Sequence, residues 1–293
     1  MKTRTAFIGA ILSLLPLGQP LLIKTGVVLS TTGLILSVPE KVNAADNSFY
    51  YNRAYEKAEK GDHYGAISDY TKAIEINPLD DSAYHNRAVS REILNQCYKA
   101  IADYLRAIEI KSDRPKSYNG VGNCKSELGD FNGAISAYTK AIQINPSYQS
   151  AYYNRGLEKS NIKDYSGAIS DYTKAIEINP NDAKVFLNRG FAKGKLKDHY
   201  GAISDYIKAI DINPQYAKAY YNRGNSKAAL KDHYGAISDY TKAIDINPNY
   251  KSAYKNRGID KEIIGDLKGA CADWQKASQL GDQDSANWVR KQC

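Results

Sequence analysis

The stretch YSGAISDYTKAIEINP, residues 165–180, decides the fold. Close copies stand at 63–78 (HYGAISDYTKAIEINP), 131–146 (FNGAISAYTKAIQINP), 199–214 (HYGAISDYIKAIDINP) and 233–248 (HYGAISDYTKAIDINP). Their last residues, Pro146, Pro180, Pro214 and Pro248, lie 34 apart; Pro78 to Pro146 is twice that, with Ser112 in the slot between. A fixed period of this length without a slip marks stacked supersecondary repeats. Seven follow, at 47–80, 81–114, 115–148, 149–182, 183–216, 217–250 and 251–284. Within the quoted stretch Ala168, Tyr172 and Ala175 recur at helical spacing. Asp164 is placed to cap that helix, as are Asp62, Asp130, Asp198, Asp232 and Asp266 in their own repeats. Pro180 closes it, having no N–H to donate. Residues near Gln149–Ser160 read as an earlier helix, so each repeat is a helix A, a turn and a helix B.

Small and large residues alternate in a way that predicts how A meets B. The eighth position is Ala54, Ala88, Gly122, Gly156, Gly190, Gly224 and Gly258; the twentieth and twenty-seventh are Ala in every repeat. Aromatic rings fill the fourth position and the twenty-fourth, the latter running Tyr70, Tyr104, Tyr138, Tyr172, Tyr206, Tyr240 and Trp274. Aromatic, Gly/Ala, Ala, aromatic, Ala and Pro at these offsets resemble the tetratricopeptide repeat family over residues 47–284. The chain departs from the family's pattern in having Arg at the usually apolar seventh position and Lys or Arg at the usually aromatic eleventh. The pentatricopeptide family, which reads RNA, is less similar, its period being 35. The resemblance implies an all-α, right-handed α-solenoid of seven helix-turn-helix repeats, with helix A lining the concave side. Residues 285–293 read as a short capping helix whose Trp288 covers the last apolar face, so residues 45–293 form one solenoid.

Residues 1–44 read as an address. Lys2 and Arg4 precede two apolar runs, broken by Pro20 and Lys24, and the segment ends in Val42-Asn43-Ala44, which resembles a secretory cleavage site. The expectation is a signal peptide cleaved after Ala44, or an N-terminal membrane anchor if uncleaved; either places the rest outside the cytoplasm. The net charge of +8 falls to +5 once this segment's +3 is set aside, and no run of five like charges occurs. A mixed-sign surface is expected, with no nucleic-acid partner.

Chemistry is sparse. Arg at the seventh position (Arg53, Arg87, Arg155, Arg189, Arg223, Arg257) and Asp at the twenty-third (Asp69, Asp103, Asp171, Asp205, Asp239, Asp273) vanish together in the third repeat, as Val121 and Ala137. The joint loss predicts an Arg–Asp bridge between A and B of one repeat. His63, His199 and His233 share the seventeenth position, a whole repeat or more apart, and read as packing rather than metal ligands. No nucleophile elbow, phosphate loop or zinc signature is present, so no catalysis and no cofactor are expected. In an exported chain four cysteines suggest disulfides; neighbouring antiparallel helices favour Cys97–Cys124 and Cys271–Cys293.

Concave residues are expected at the second, fifth, sixth, ninth and thirteenth positions. Asn52, Asn86, Asn154, Asn188, Asn222 and Asn256 occupy the sixth, where the resemblance implies contact with a bound peptide. Tyr51, Tyr153 and Tyr221 belong to a variable fifth position, and Lys184 and Lys218 add charge at the second. The family's carboxylate clamp is only partly traced and is not carried over. The expected function is a non-catalytic scaffold for a protein or peptide partner, in assembly of envelope or membrane complexes. The alternatives are a polysaccharide-binding solenoid, using Tyr51, Tyr55, Tyr153 and Tyr221, and an accessory subunit of an enzyme.

Overall fold

The computed structural model describes residues 44–293, with side chains from Asp46 onward. The expected signal or anchor over 1–44 lies outside them but for Ala44. Fifteen α-helices occur among the described residues. They run in A–B pairs: α1 Ala44–Glu59 and α2 His63–Ile76, α3 Asp81–Ile93 and α4 Cys97–Ile110, α5 Pro115–Glu127 and α6 Phe131–Ile144, α7 Gln149–Asn161 and α8 Tyr165–Ile178. Next come α9 Ala183–Lys195 and α10 His199–Ile212, α11 Ala217–Ala229 and α12 His233–Ile246, α13 Lys251–Ile263 and α14 Leu267–Gln279, then α15 Gln283–Gln292. None is long and apolar enough to cross a membrane.

Six B helices begin as expected, on an Asp carboxylate that accepts the backbone N–H three residues on, at 2.8–2.9 Å. Gln96 precedes the seventh, α4, and makes no such bond. The A–B turn has a demand the sequence did not reveal. Its fifteenth-position residue takes a positive φ in every repeat: Gly61, Gly129 and Gly265, but also Asn95, Lys163, Lys197 and Lys231 at 57–67°. A left-handed backbone suits glycine and strains lysine.

Packing follows the small-residue pattern. The twentieth- and twenty-seventh-position alanines are fully buried, and the rings from Tyr70 to Trp274 at the twenty-fourth are 1–3% exposed. A Cβ on Gly122 or Gly156 would come within 2.4 Å of the Tyr138 ring or 2.7 Å of the Tyr172 ring. Glycine there lets helix A close onto the ring of helix B, while Ala54 and Ala88 hold the same place in the first two repeats. Burying each ring contributes about 2 kcal/mol. Successive A helices from α3 to α13 touch one another as well as their B partners, whereas successive B helices stand further apart. That difference puts the A helices on the inside of the curve.

The C-terminal end is covered by α15. Trp288 lies against Trp274, with ring centroids 5.3 Å apart. A disulfide joins Cys271 of α14 to Cys293, with Cα atoms 5.7 Å apart. Cys97 and Cys124 correct the expectation of a second one: both are free and buried. The Cys97 thiol points to the Glu127 carboxylate at 2.9 Å instead, and burial pushes both thiols' pKa up.

Candidate binding groove

The A-helix face rests on a rigid ionic frame. Arg53 donates through Nε and Nη2 to the two carboxylate oxygens of Asp69, both at 2.7 Å. Arg87–Asp103, Arg155–Asp171, Arg189–Asp205, Arg223–Asp239 and Arg257–Asp273 repeat this fork at 2.6–3.0 Å. The eleventh-position cations, an unexplained departure in the sequence, complete each site. Lys57, Arg91, Lys159, Lys193, Lys227 and Lys261 reach the same aspartates at 2.6–2.8 Å. Arg87, Arg155, Arg189 and Arg257 also donate to Thr71, Thr139, Thr173 and Thr241 of the preceding repeat. Each buried aspartate thus faces two cations, and the hydrogen bonds from Arg53 and Lys57 hold the pKa of the Asp69 carboxyl down at about 2. The third repeat, with Val121 and Ala137, leaves Lys125 to pair with Asp130 at 3.1 Å.

The sixth-position asparagines tie repeats together. Asn86, Asn188 and Asn256 donate to the hydroxyls of Tyr51, Tyr153 and Tyr221 of the preceding repeat, at 2.8, 3.0 and 3.1 Å. Asn154 donates to Asn119 and Asn123, and Asn52 to Ser48 in its own helix. Where the fifth position is His85, the next sixth position is Gly120, because the Tyr104 ring fills the place a Cβ would take. His85 instead meets the Ser117 hydroxyl at 2.8 Å, and burial lowers its pKa to about 4. Where the fifth position is the buried Leu187, Asn222 has no such hydroxyl to meet. Lys184 and Lys218 are exposed; Lys184 lies at the rim, among Asn181, Asp182 and Tyr216.

A second contact between repeats extends beyond the cysteine pair in which the sequence showed it. The seventeenth position of one repeat faces the tenth of the next: Cys97 with Cys124, and His233 with Asp260 at 2.6 Å. By the same register His63 is matched with Ser90 and His199 with Ser226; Nδ1 of both histidines and the Ser90 hydroxyl are buried without partners among the described residues. The signal lay in co-varying pairs of adjacent repeats.

Beside exposed charges such as Glu59, Lys184, Lys195 and Lys218, the A-helix face leaves apolar side chains open. Tyr55, Val89 and Phe191 at the ninth position, and Ile93 and Ile263 at the thirteenth, are 36–56% exposed. Between the fifth and sixth repeats a cavity of about 180 Å³ is lined by Phe191, Gly194, Lys195, His199, Tyr206, Asn222, Asn225 and Ser226.

Family models described as tetratricopeptide repeat match residues 48–78, 150–182 and 217–250, and one described as TPR repeat matches 122–157 and 195–231. Together they span half of the chain. No curated protein matches it. Among solved structures, MamA is 28% identical with a TM-score of 0.54, covering 57% of this chain and 97% of that one. YrrB, described as a TPR protein with an unusual peptide-binding site, is 27% identical with a TM-score of 0.57, covering 63% and 95%. The C-terminal part of a TPR repeat-containing protein from Cytophaga hutchinsonii is 20% identical with a TM-score of 0.69, covering 81% and 98%, a likeness of fold alone.

Proposed function

The chain belongs to the tetratricopeptide repeat family, and on that premise we propose that it is a non-catalytic scaffold whose A-helix face holds an extended peptide or protein segment. The observation that carries this reading is the contrast on that face. Its frame is fixed by repeated Arg–Asp–Lys triads and Asn–Tyr bonds, while Tyr55, Val89, Ile93, Phe191 and Ile263 are exposed upon it. Apolar side chains displayed on a rigid inner surface are what a docking groove requires. YrrB's peptide-binding site, in a relative of the same repeat type, agrees with it. The test is a pull-down from membrane and envelope extract with the full chain as bait, beside a bait carrying Val89→Asp and Phe191→Asp. Both changes sit on exposed positions and leave the frame intact. A protein held by the first bait and lost by the second supports the groove; a protein held equally by both sinks it.

We also place the groove outside the cytoplasm, in assembly of envelope or membrane complexes. The Cys271–Cys293 disulfide supports an oxidising compartment, and residues 1–44 read as the means of reaching it. The intact mass of the chain recovered from its own cells tests this. A mature protein starting at Ala45, or a full chain in the membrane fraction, agrees; a full-length soluble cytoplasmic chain with four free thiols does not.

The polysaccharide alternative is weakened by the same contacts, since the Tyr51, Tyr153 and Tyr221 hydroxyls accept from asparagines. Of the tyrosines in that alternative only Tyr55 stands free, 51% exposed, while Tyr64, Tyr98, Tyr200 and Tyr234, 70–78% exposed, lie at the start of B helices. A glycan array separates the two readings.

A further inference from the structure

The cavity between the fifth and sixth repeats has an internal counterpart that shows what it recognises. Between the second and third repeats Glu92, at the twelfth position, is held by two donors. The Tyr104 hydroxyl donates to one carboxylate oxygen at 2.6 Å and the Asn123 amide to the other at 2.9 Å. Asn123 is oriented for this because its own oxygen accepts from Tyr138 and Asn154. The fifth–sixth boundary repeats the arrangement residue for residue. Tyr206 stands for Tyr104, Asn225 for Asn123, and the Asn225 oxygen accepts from Tyr240 and Asn256 at 2.9 Å each, which turns its NH2 group outward as in Asn123. Within this trio the acid is replaced, Gly194 standing for Glu92, and around it Lys195, His199 and Asn222 stand where the second–third boundary has Ile93, Cys97 and Gly120.

The donors gathered there are therefore unused. Among the described residues Tyr206 has no hydrogen-bond partner, as Tyr70 and Tyr172 have none, whereas Tyr104, Tyr138 and Tyr240 do. The Asn225 amide nitrogen and the Asn222 side chain are likewise free to bond, and Nδ1 of His199 is buried without a partner. Lys195 adds a cation, and no Asp or Glu lines the cavity. A hydroxyl, two amides, an imidazole and an ammonium line the cavity with no acid among them, a set that suits an anionic oxygen acceptor.

We propose that this cavity is a carboxylate-binding subsite, in which an acidic group of the bound segment takes the place that the Glu92 carboxylate takes between the second and third repeats. For its ligand being a peptide, the site rests on the groove reading above. The Phe191 ring beside it would pack the chain that carries the acid.

Three capped or uncapped tripeptides titrated into the full chain test it, read by NMR at the side-chain amides of Asn222 and Asn225. They are acetyl-Ala-Glu-Ala-amide, acetyl-Ala-Gln-Ala-amide, and acetyl-Ala-Gln-Ala with a free C-terminus. A carboxylate probe is expected to shift both amides with affinity in the millimolar range of a single anchor, and the fully amidated Gln peptide to bind at least about tenfold more weakly, the loss of one charge-assisted contact. Binding of the Glu peptide assigns an acidic side chain as the ligand, and binding of the free C-terminus alone assigns a chain end. Gly194→Glu, which supplies the acid internally, is expected to abolish binding and to melt at a higher temperature than Gly194→Ala. A Cβ at Gly194 meets only the Ala202 methyl at 3.9 Å, so both variants have room to fold. Equal binding of all three peptides, no shift by any carboxylate, or unchanged binding in Gly194→Glu overturns the proposal. These probes need no natural partner, so a failed pull-down with responsive amides would count against the groove reading alone.

Discussion

Asp171 accepts from Arg155 at 2.6 and 2.9 Å and from Lys159 at 2.8 Å while 2% exposed. Removing it strands two cations, and Asp171→Ala is expected to cost about 3 kcal/mol or more. The third repeat shows the apolar solution, Val121 over Ala137. Arg155→Val combined with Asp171→Ala is therefore expected to recover much of that loss, measured as local opening by hydrogen exchange across α7 and α8. If the double variant is as unstable as the single, the triad does more than neutralise itself. A pH effect belongs to the same scale. His85 is buried and held neutral, its pKa about 4 against an ordinary 6.5. A depressed value means the folded state binds its proton late, so its contribution is full above 6.5 and lost as pH falls toward 4. Stability of the second and third repeats should fall through that window by at most about 1.4 kcal/mol per pH unit. The slope should shrink in His85→Asn; an unchanged slope would assign it to other groups.

At the scale of elements, the turns are the weak joints. Lys163, Lys197 and Lys231 hold positive φ where three other repeats have glycine. Lys197→Gly is expected to stabilise the fifth repeat by about 1 kcal/mol, since relief of the left-handed strain exceeds glycine's entropic cost; a loss of stability would mean the lysine side chain earns its place by contact. The six aspartate caps and the Arg–Asp forks were legible in the sequence because each lies inside one repeat, where equivalent residues can be compared directly. The Asn–Tyr bonds were not, because they join different positions of different repeats, and the facing of the seventeenth and tenth positions was legible only at Cys97 and Cys124. Tyr51 with Asn86, and His85 with Gly120, carried that signal once the pairing was known.

For the molecule as a whole, stability is a sum over neighbours, so its ends are its frailest parts. The C-terminal end has the disulfide, and Cys293→Ser is expected to cost about 3 kcal/mol of local stability by loop closure. The protein's two tryptophans, Trp274 and Trp288, would then report fraying of α15 as a red shift in fluorescence; an unshifted spectrum would mean that ring packing alone holds the cap. The 34-residue period made the solenoid legible in the sequence. The groove was legible only as a face: which of its residues are free depends on whether the preceding repeat offers a tyrosine hydroxyl, a choice no single repeat reveals. On the proposed function the A-helix face, and not the B-helix side, meets the partner. This is tested most directly by a photo-crosslinking amino acid placed at Phe191 on that face and, separately, at Tyr200 on the B-helix side, followed by irradiation in the native cell. A discrete protein adduct is expected from position 191 and none from position 200. Adducts from position 200 alone would contradict it.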